Sequence, residues 1–437
     1  MVCRLDFLVN NPQFWRTNGA GEDLPENLEV ELEDGKLKIP VKVKEKLGLD
    51  EDTSVNIKLG SKGFYLERSD PLLTRVYIEP TSDCNLNCKT CVRHSWDEEM
   101  GHMDFDVYKK LIDELKEFKH LEKIAFWGIG EPTYHPEIAE MIALASELGV
   151  QTQMITNALL LDEKKANAVL DAGLDSIVVS VDGTSPETMA DIRSGADLAR
   201  VIENVKRFRS LRDKKKLETE IGIEYVIMKS NVDELKELRK LAYDLGASFI
   251  FLTNLLPYTE SMTDEILYSF SISRSQPEKR THHRPEIYLP PTDLREDIIK
   301  DIAAIGGKSS NISTTQVPFN PHRGYCKFVE DGSIAVNWRG EISPCIALMH
   351  SYDLYIRERE KHINKYVLGN IGEEDLNSIW YSDEFKKFRK DVKEFPFSDC
   401  TQCSGCEMSK ENEEDCHGNE FPVCGDCLWA RGVIQCP

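Results

Sequence analysis

The chain predicts an α/β fold, an open or partial barrel of parallel strands with helices around it. Three features predict it: apolar runs of strand length recur from residue 75, stretches of helical period separate them, and no dinucleotide fingerprint breaks the rhythm. The strands, in order, are RVYIEP (75–80), KIAFWGIG (123–130), QTQMITN (151–157), SIVVSVD (176–182), EIGIEYVIM (220–228) and SFIFLTN (248–254). Between them lie segments such as FDVYKKLIDELKEFKHL and NVDELKELRKLAYDLG, whose apolar residues fall on one helical face. Such alternation implies a parallel sheet, and about six units fit a partial (β/α)6 barrel with its site at the C-terminal strand ends.

Four segments follow from this reading. Residues 73–255 form the barrel, and 256–325, rich in Ser, Thr, Pro and His, form a connector or a substrate-covering segment. Residues 326–437 form a cysteine-rich domain, and 1–72 precede the barrel. Within that first segment, 27–69 alternate like short strands around a small helix at Val41–Leu47. This stretch resembles the AbrB-like swapped-hairpin module, through its Ile-Pro, short helix and Leu-Gly-Leu. Docking or homodimerisation is the role that the resemblance implies here.

The formal net charge is −22, from 76 acidic and 54 basic residues. A reader of phosphate backbones usually displays a basic patch, so the balance argues against nucleic acid as a partner. No run of about 18 apolar residues suggests a membrane span. The opening MVCRLDFLVNNPQFW is too polar for a secretory core, and a cytoplasmic location is expected.

Cysteine carries the chemistry. Of thirteen, three stand at Cys84, Cys88 and Cys91, two at Cys326 and Cys345, and seven between Cys400 and Cys436, with Cys3 alone. In a cytosolic chain this clustering reads as metal ligation. The first triplet follows the first strand, at the barrel mouth. Three thiolates on a four-iron cluster leave one iron without a protein ligand, and that iron can bind an external chelate. A zinc site borrowing His94 is the alternative.

The Cx3Cx2C loop resembles that of the radical S-adenosylmethionine (SAM) superfamily, over about residues 73–255. The resemblance implies that SAM chelates the open iron through its amino and carboxylate groups. A reduced [4Fe-4S] cluster then cleaves the sulfonium, and the 5′-deoxyadenosyl radical abstracts a substrate hydrogen. Further motifs appear in the family's order. FWGIGEP, with Gly128, Gly130 and Glu131, matches the glycine–glutamate motif that holds the methionyl ammonium; ITNA places Asn157 where relatives carry Thr-Asn-Gly. SVDG offers Ser180 and Asp182 to the ribose or the methionyl carboxylate, DIRSGADL offers Arg193 to that carboxylate or to a surface ion pair, and adenine faces the strand around Tyr225 to Met228. One departure is Thr90, where relatives have an aromatic residue before the third cysteine.

The tail resembles the SPASM extension of radical SAM maturases, which carries two auxiliary [4Fe-4S] clusters. Its leading pattern runs from Cys326 through Gly340 to Cys345; Cys400, Cys403, Cys406, Cys416, Cys424, Cys427 and Cys436 follow, departing from the common Cx2Cx5Cx3C run. Nine tail cysteines exceed the eight that two fully ligated clusters need, and zinc ribbons built on the Cx2C pairs are the alternative. The whole combination resembles the radical SAM maturases of tungsten-containing aldehyde ferredoxin oxidoreductases. That family implies a protein or peptide substrate, a tungsten oxidoreductase or its cofactor, and a low-potential electron donor. A ribosomal-peptide modifier and a metal-cluster DNA-binding regulator are the rival readings. Sulfatase maturation is disfavoured, because Ile346 stands where that subfamily has an acidic base.

Overall fold

The computed structural model describes residues 72–268, 326–356, 359–398, 400, 406–420 and 425–434. Elsewhere it describes only short backbone segments at 31–33, 36–38, 55–60, 63–68, 286–289 and 311–314, with positions 41 and 44. Two compact units divide the chain, Met1–Leu73 and Thr74–Pro437. In the first, Glu31–Glu33 pairs antiparallel with Lys36–Lys38, and Val55–Gly60 pairs with Gly63–Arg68. Of the expected swapped-hairpin module, these two hairpins are what the described residues contain.

In the second unit all six predicted barrel strands form: β1 (Arg75–Ile78), β2 (Lys123–Phe126), β3 (Gln151–Thr156), β4 (Ser176–Ser180), β5 (Glu220–Ile227) and β6 (Phe249–Asn254). Each pairs in parallel with the next. Strands such as SIVVS read as nearly unbroken apolar runs because helices cover one face and the barrel interior the other. Helices α1 (Phe105–Leu115), α2 (Ile138–Ser146), α3 (Glu163–Asp171), α4 (Pro186–Ile192), α5 (Leu198–Lys215) and α6 (Leu235–Leu245) fill the intervals. Local chemistry sets their ends. Asp104 caps α1 by accepting from the Asp106 and Val107 amides, and α6 stops at Gly246 with φ 74°.

The sheet does not end with six strands. The stretch read as connector or cover contains β7 (Glu286–Leu289) and β8 (Asn311–Thr314), which continue it in parallel beyond β6. At the opposite edge β9 (Ser333–Val336) pairs in parallel with β1, and β10 (Glu341–Ser343) turns back on β9. The cysteine-rich tail is thus fused to the barrel by backbone hydrogen bonds. Its hairpin β11 (Tyr352–Ile356) and β12 (Arg359–Ile363) packs against the mouth, where Tyr352, Leu354, Leu428 and Val433 join Val92, Ile192, Met228 and Leu255 in one apolar cluster. Among the described residues no helix is long and apolar enough to cross a membrane.

Candidate active site

The cysteine triplet occupies the loop that leaves β1. Backbone bonds pin this loop to its neighbours: Ser82 N donates to Gly101 O at 3.0 Å, Asn87 N to Ser194 O at 3.0 Å and Lys89 N to Ile192 O at 2.8 Å. The three cysteines are half-buried, and two of their sulfurs receive donors. Leu86 N donates to Cys84 Sγ at 3.4 Å and Arg93 Nε to Cys91 Sγ at 3.1 Å. Burial pushes the Cys88 thiol up to about 11 against the pull of Arg193, and it also raises Cys84.

This donor set suits a cluster better than a single ion. Among the described residues no three His, Cys, Asp or Glu side chains converge on a point, whereas zinc would draw its thiolates in to about 2.3 Å. A four-iron cluster takes one thiolate per iron and so spreads its ligands apart. His94 is committed elsewhere, with Nε2 2.9 Å from the Cys88 carbonyl oxygen.

The loop after β2 closes on the cysteine loop. A Cβ on Gly130 would lie 2.2 Å from Thr81 O and 2.5 Å from Asp83 O, so only glycine permits this approach. Glu131 N donates to Asp83 O at 2.8 Å. The Glu131 carboxylate is buried and serves mainly protein donors. Its Oε1 accepts from Thr133 N, Thr133 Oγ1 and Thr156 Oγ1 at 3.0, 2.5 and 2.6 Å, and Oε2 accepts from Asn157 N at 2.7 Å. Oε2 accepts from this one donor and retains capacity for a ligand ammonium. Asn157 extends Nδ2 to Asn85 Oδ1 at 2.9 Å and to within 3.8 Å of Cys84 Sγ. The residue after it, Ala158, has φ 58°, the left-handed conformation that the family's glycine supplies without strain.

At the ends of β4 and β5 a buried ion pair replaces the surface one that the sequence allowed for. Arg193 Nε donates to Asp182 Oδ2 at 2.7 Å, with side chains 13% and 0% exposed. Asp182 Oδ1 also accepts from Val226 N at 2.9 Å. Asp182 is therefore occupied in orienting Arg193, whose terminal nitrogens remain as donors. The Tyr225 hydroxyl donates to Asn231 O at 3.0 Å, which leaves its backbone, not its ring tip, for a ligand. Sequence reasoning missed Glu224, on the same strand. Its Oε2 accepts from Ser180 Oγ at 3.3 Å, and burial raises its carboxyl to about 7 against the opposing pull of Arg193. An acid inside an otherwise apolar strand was the available signal.

In the tail the structure brings Cys326, Cys345 and Cys427 together. They line one cavity of about 50 Å³ with Lys361, Asp426 and Trp429. Burial, reinforced by Cys427, pushes Cys326 up to about 12, and burial with its two cysteine neighbours also raises Cys345. Cys400 stands apart with Ser398 Oγ at 2.8 Å, and Cys416 is exposed. Cys406 is partly buried, while Cys403, Cys424 and Cys436 lie outside the described residues.

Comparisons with known proteins identify the family. A family model for the radical SAM superfamily matches residues 78–242, and one for SPASM, an iron–sulfur cluster-binding domain, matches 326–407. A Pyrococcus furiosus protein named tungsten-containing aldehyde ferredoxin oxidoreductase cofactor-modifying protein is 32% identical over 371 residues, 83% of this chain and 96% of that one. A PqqA peptide cyclase of Bradyrhizobium diazoefficiens is 28% identical over 184 residues, 42% of this chain and 47% of its own. The fold is similar to that of Streptococcus suis SuiB bound to S-adenosylmethionine, at TM-score 0.53 and 18% identity over 77% of this chain and 71% of that one. The chain belongs to the radical SAM superfamily of enzymes, in the branch with a SPASM domain, and its cofactors are SAM, a [4Fe-4S] cluster and auxiliary iron–sulfur clusters.

Proposed function

We propose that this enzyme is a maturase that modifies a tungstopterin oxidoreductase or its cofactor. The observation that carries the substrate is the likeness to the Pyrococcus furiosus protein, which extends over 96% of that chain and so includes more than the SAM-binding core. Cys84, Cys88 and Cys91 hold the first cluster, whose open iron and SAM together supply a 5′-deoxyadenosyl radical. Glu131 Oε2 and the backbone near Gly128 and Gly130 take the methionyl ammonium. Arg193, aimed by Asp182, takes the methionyl carboxylate, and Asn157 orders the Cys84 side of the loop. Ser180 and Glu224 face the ribose, and the β5 backbone beyond Tyr225 faces adenine. In the tail, Cys326, Cys345 and Cys427 hold one auxiliary cluster, and the remaining tail cysteines supply a second. The segment boundaries at 72, 255 and 325 separate these roles. A low-potential donor would supply the electron that this chemistry needs, and the N-terminal module would serve homodimerisation.

Peptide crosslinking is the second reading, supported by the PqqA peptide cyclase match, but that match spans only 42% of this chain. One experiment separates them. A tungsten oxidoreductase produced without its maturase is incubated with this enzyme, SAM and a reductant. A mass change in the oxidoreductase or its extracted cofactor, absent with the Cys84→Ala, Cys88→Ala, Cys91→Ala variant, is the expected result. 5′-Deoxyadenosine formation stimulated only by a short peptide would overturn the assignment.

A further inference from the structure

His350 is a buried imidazole held between two carboxylates from different parts of the chain. Its Nε2 lies 2.9 Å from Glu79 Oε2 and its Nδ1 lies 3.0 Å from Glu98 Oε2, with the ring 2% exposed. A neutral imidazole has one donor, so satisfying both carboxylates requires the imidazolium. The other charges facing this group are Arg339, whose terminal nitrogen is 3.2 Å from Glu98 Oε2, and Lys365, which acts on Glu98. Trp96 closes the site edge-on, its centroid 4.8 Å from that of the imidazole. Glu79 and Glu98 hold the ring above its ordinary value, at about 9, although burial works against them.

The partners give this arrangement its meaning. Glu79, immediately beyond β1, uses Oε1 to accept from Ile129 N at 2.9 Å, in the middle of the GIGEP loop. A Cβ on Gly128 would lie 2.4 Å from Glu79 Cγ, so the loop rests directly on this side chain. Glu98 follows the cysteine loop, and its Oε1 accepts from Ser351 N at 2.9 Å. His350 itself belongs to the tail, and a single short 3-10 turn, Ile346–Leu348, separates it from Cys345.

We propose that His350 is a positioning residue through which the auxiliary domain fixes the loop that receives SAM, an inference that rests on the assignment of GIGEP to SAM. His350 holds Glu79, Glu79 holds the Ile129 amide, and that amide fixes the GIGEP loop beside the cysteine loop. Displacing Cys345 moves His350 and lowers SAM affinity without touching SAM.

The test uses the full-length enzyme with all its clusters loaded. In His350→Gln the dissociation constant for SAM by calorimetry, and KM for SAM in 5′-deoxyadenosine formation, should rise roughly tenfold, the size of one charge-assisted hydrogen bond. The kcat should change by less than about twofold under the same transition-state arithmetic, with iron per chain unchanged. Glu98→Gln should shift KM in the same direction by less. Between pH 8 and 10 the wild-type KM should climb toward that of the Gln variant; the ratio of the two cancels the titration of SAM itself. Unchanged SAM affinity in an iron-replete His350→Gln, or a loss confined to kcat, overturns the proposal. Should that variant not fold, the same pH comparison between wild type and Glu98→Gln decides, and parallel profiles overturn it. SAM cleavage that survives alanine at Cys84, Cys88 and Cys91 would instead overturn the assignment beneath it.

Discussion

The two thiolate sites of this enzyme are built on opposite plans. Cys84, Cys88 and Cys91 sit on one short loop, half-buried, with Arg93 and Leu86 N already donating to their sulfurs. Cys326 and Cys345 stand 19 residues apart and Cys427 a further 82, and they meet in a cavity where β9, β10 and the β11–β12 hairpin lie between them in sequence. Local ligands make a site that can be filled, emptied and reached by a substrate after folding. Ligands dispersed along the chain make a site whose metal is part of folding, because binding free energy becomes folding free energy.

Removing ligands should separate the two plans most sharply. Alanine at Cys84, Cys88 and Cys91 should abolish 5′-deoxyadenosine formation and remove about four irons per chain while roughly eight remain, by cubane stoichiometry. Elemental analysis after anaerobic reconstitution gives the count, and two zincs in a colourless protein would mean that the tail is a staple. The next largest effect concerns the wall between the tail thiolates. Asp426 Oδ2 accepts from Arg359 at 2.7 Å and from Lys361 at 3.1 Å, and both side chains of the Lys361–Asp426 pair are 2% exposed. Asp426→Ala strands a buried ammonium beside Cys427, so denaturant unfolding should show a loss of about 3–5 kcal/mol. No single substitution in the first cysteine loop should approach that.

A pH scan sharpens the comparison at the seam between the sites. Because the folded His350 value lies at about 9, above its ordinary 6.5, its contribution is complete below about 6.5 and is lost as pH rises to 9. The difference amounts to ~3 kcal/mol at 1.36 kcal/mol per unit. The thermal midpoint of the holoenzyme should fall across this window, and His350→Gln should flatten the fall. The smallest effect lies beside the first site. Ala158 holds φ 58° in the family's glycine position, so Ala158→Gly should relieve left-handed strain and stabilise the barrel by about 1 kcal/mol, with SAM cleavage intact.

How much of this was legible in the sequence depended on range. Every barrel strand was visible, because a strand buried on both faces must be apolar along its length. The first cysteine loop and the GIGEP turn were equally plain, since their chemistry lies within a few residues. The pairing of β9 with β1 was not, and neither were β7 and β8 within a stretch that read as irregular. The Glu79–His350–Glu98 contact was the least visible. The glutamate next to last in the run RVYIEP was a usable hint of a buried acid, but its partner lies 271 residues away. Charge pairs across such distances leave no periodicity to read.

The seam between barrel and tail has a last consequence for what counts as a part of this protein. Strand β1 is flanked by β2 on one side and β9 on the other, in register from Ser333↔Arg75 to Val336↔Ile78. A chain ending before residue 326 would lack β9 and offer the bare side of β1 to solvent, a row of unpaired amides and carbonyls above a greasy surface. Such an edge recruits strands from other molecules. The catalytic barrel, modular on paper, would be adhesive as an orphan, and the tail keeps it soluble as well as supplying thiolates.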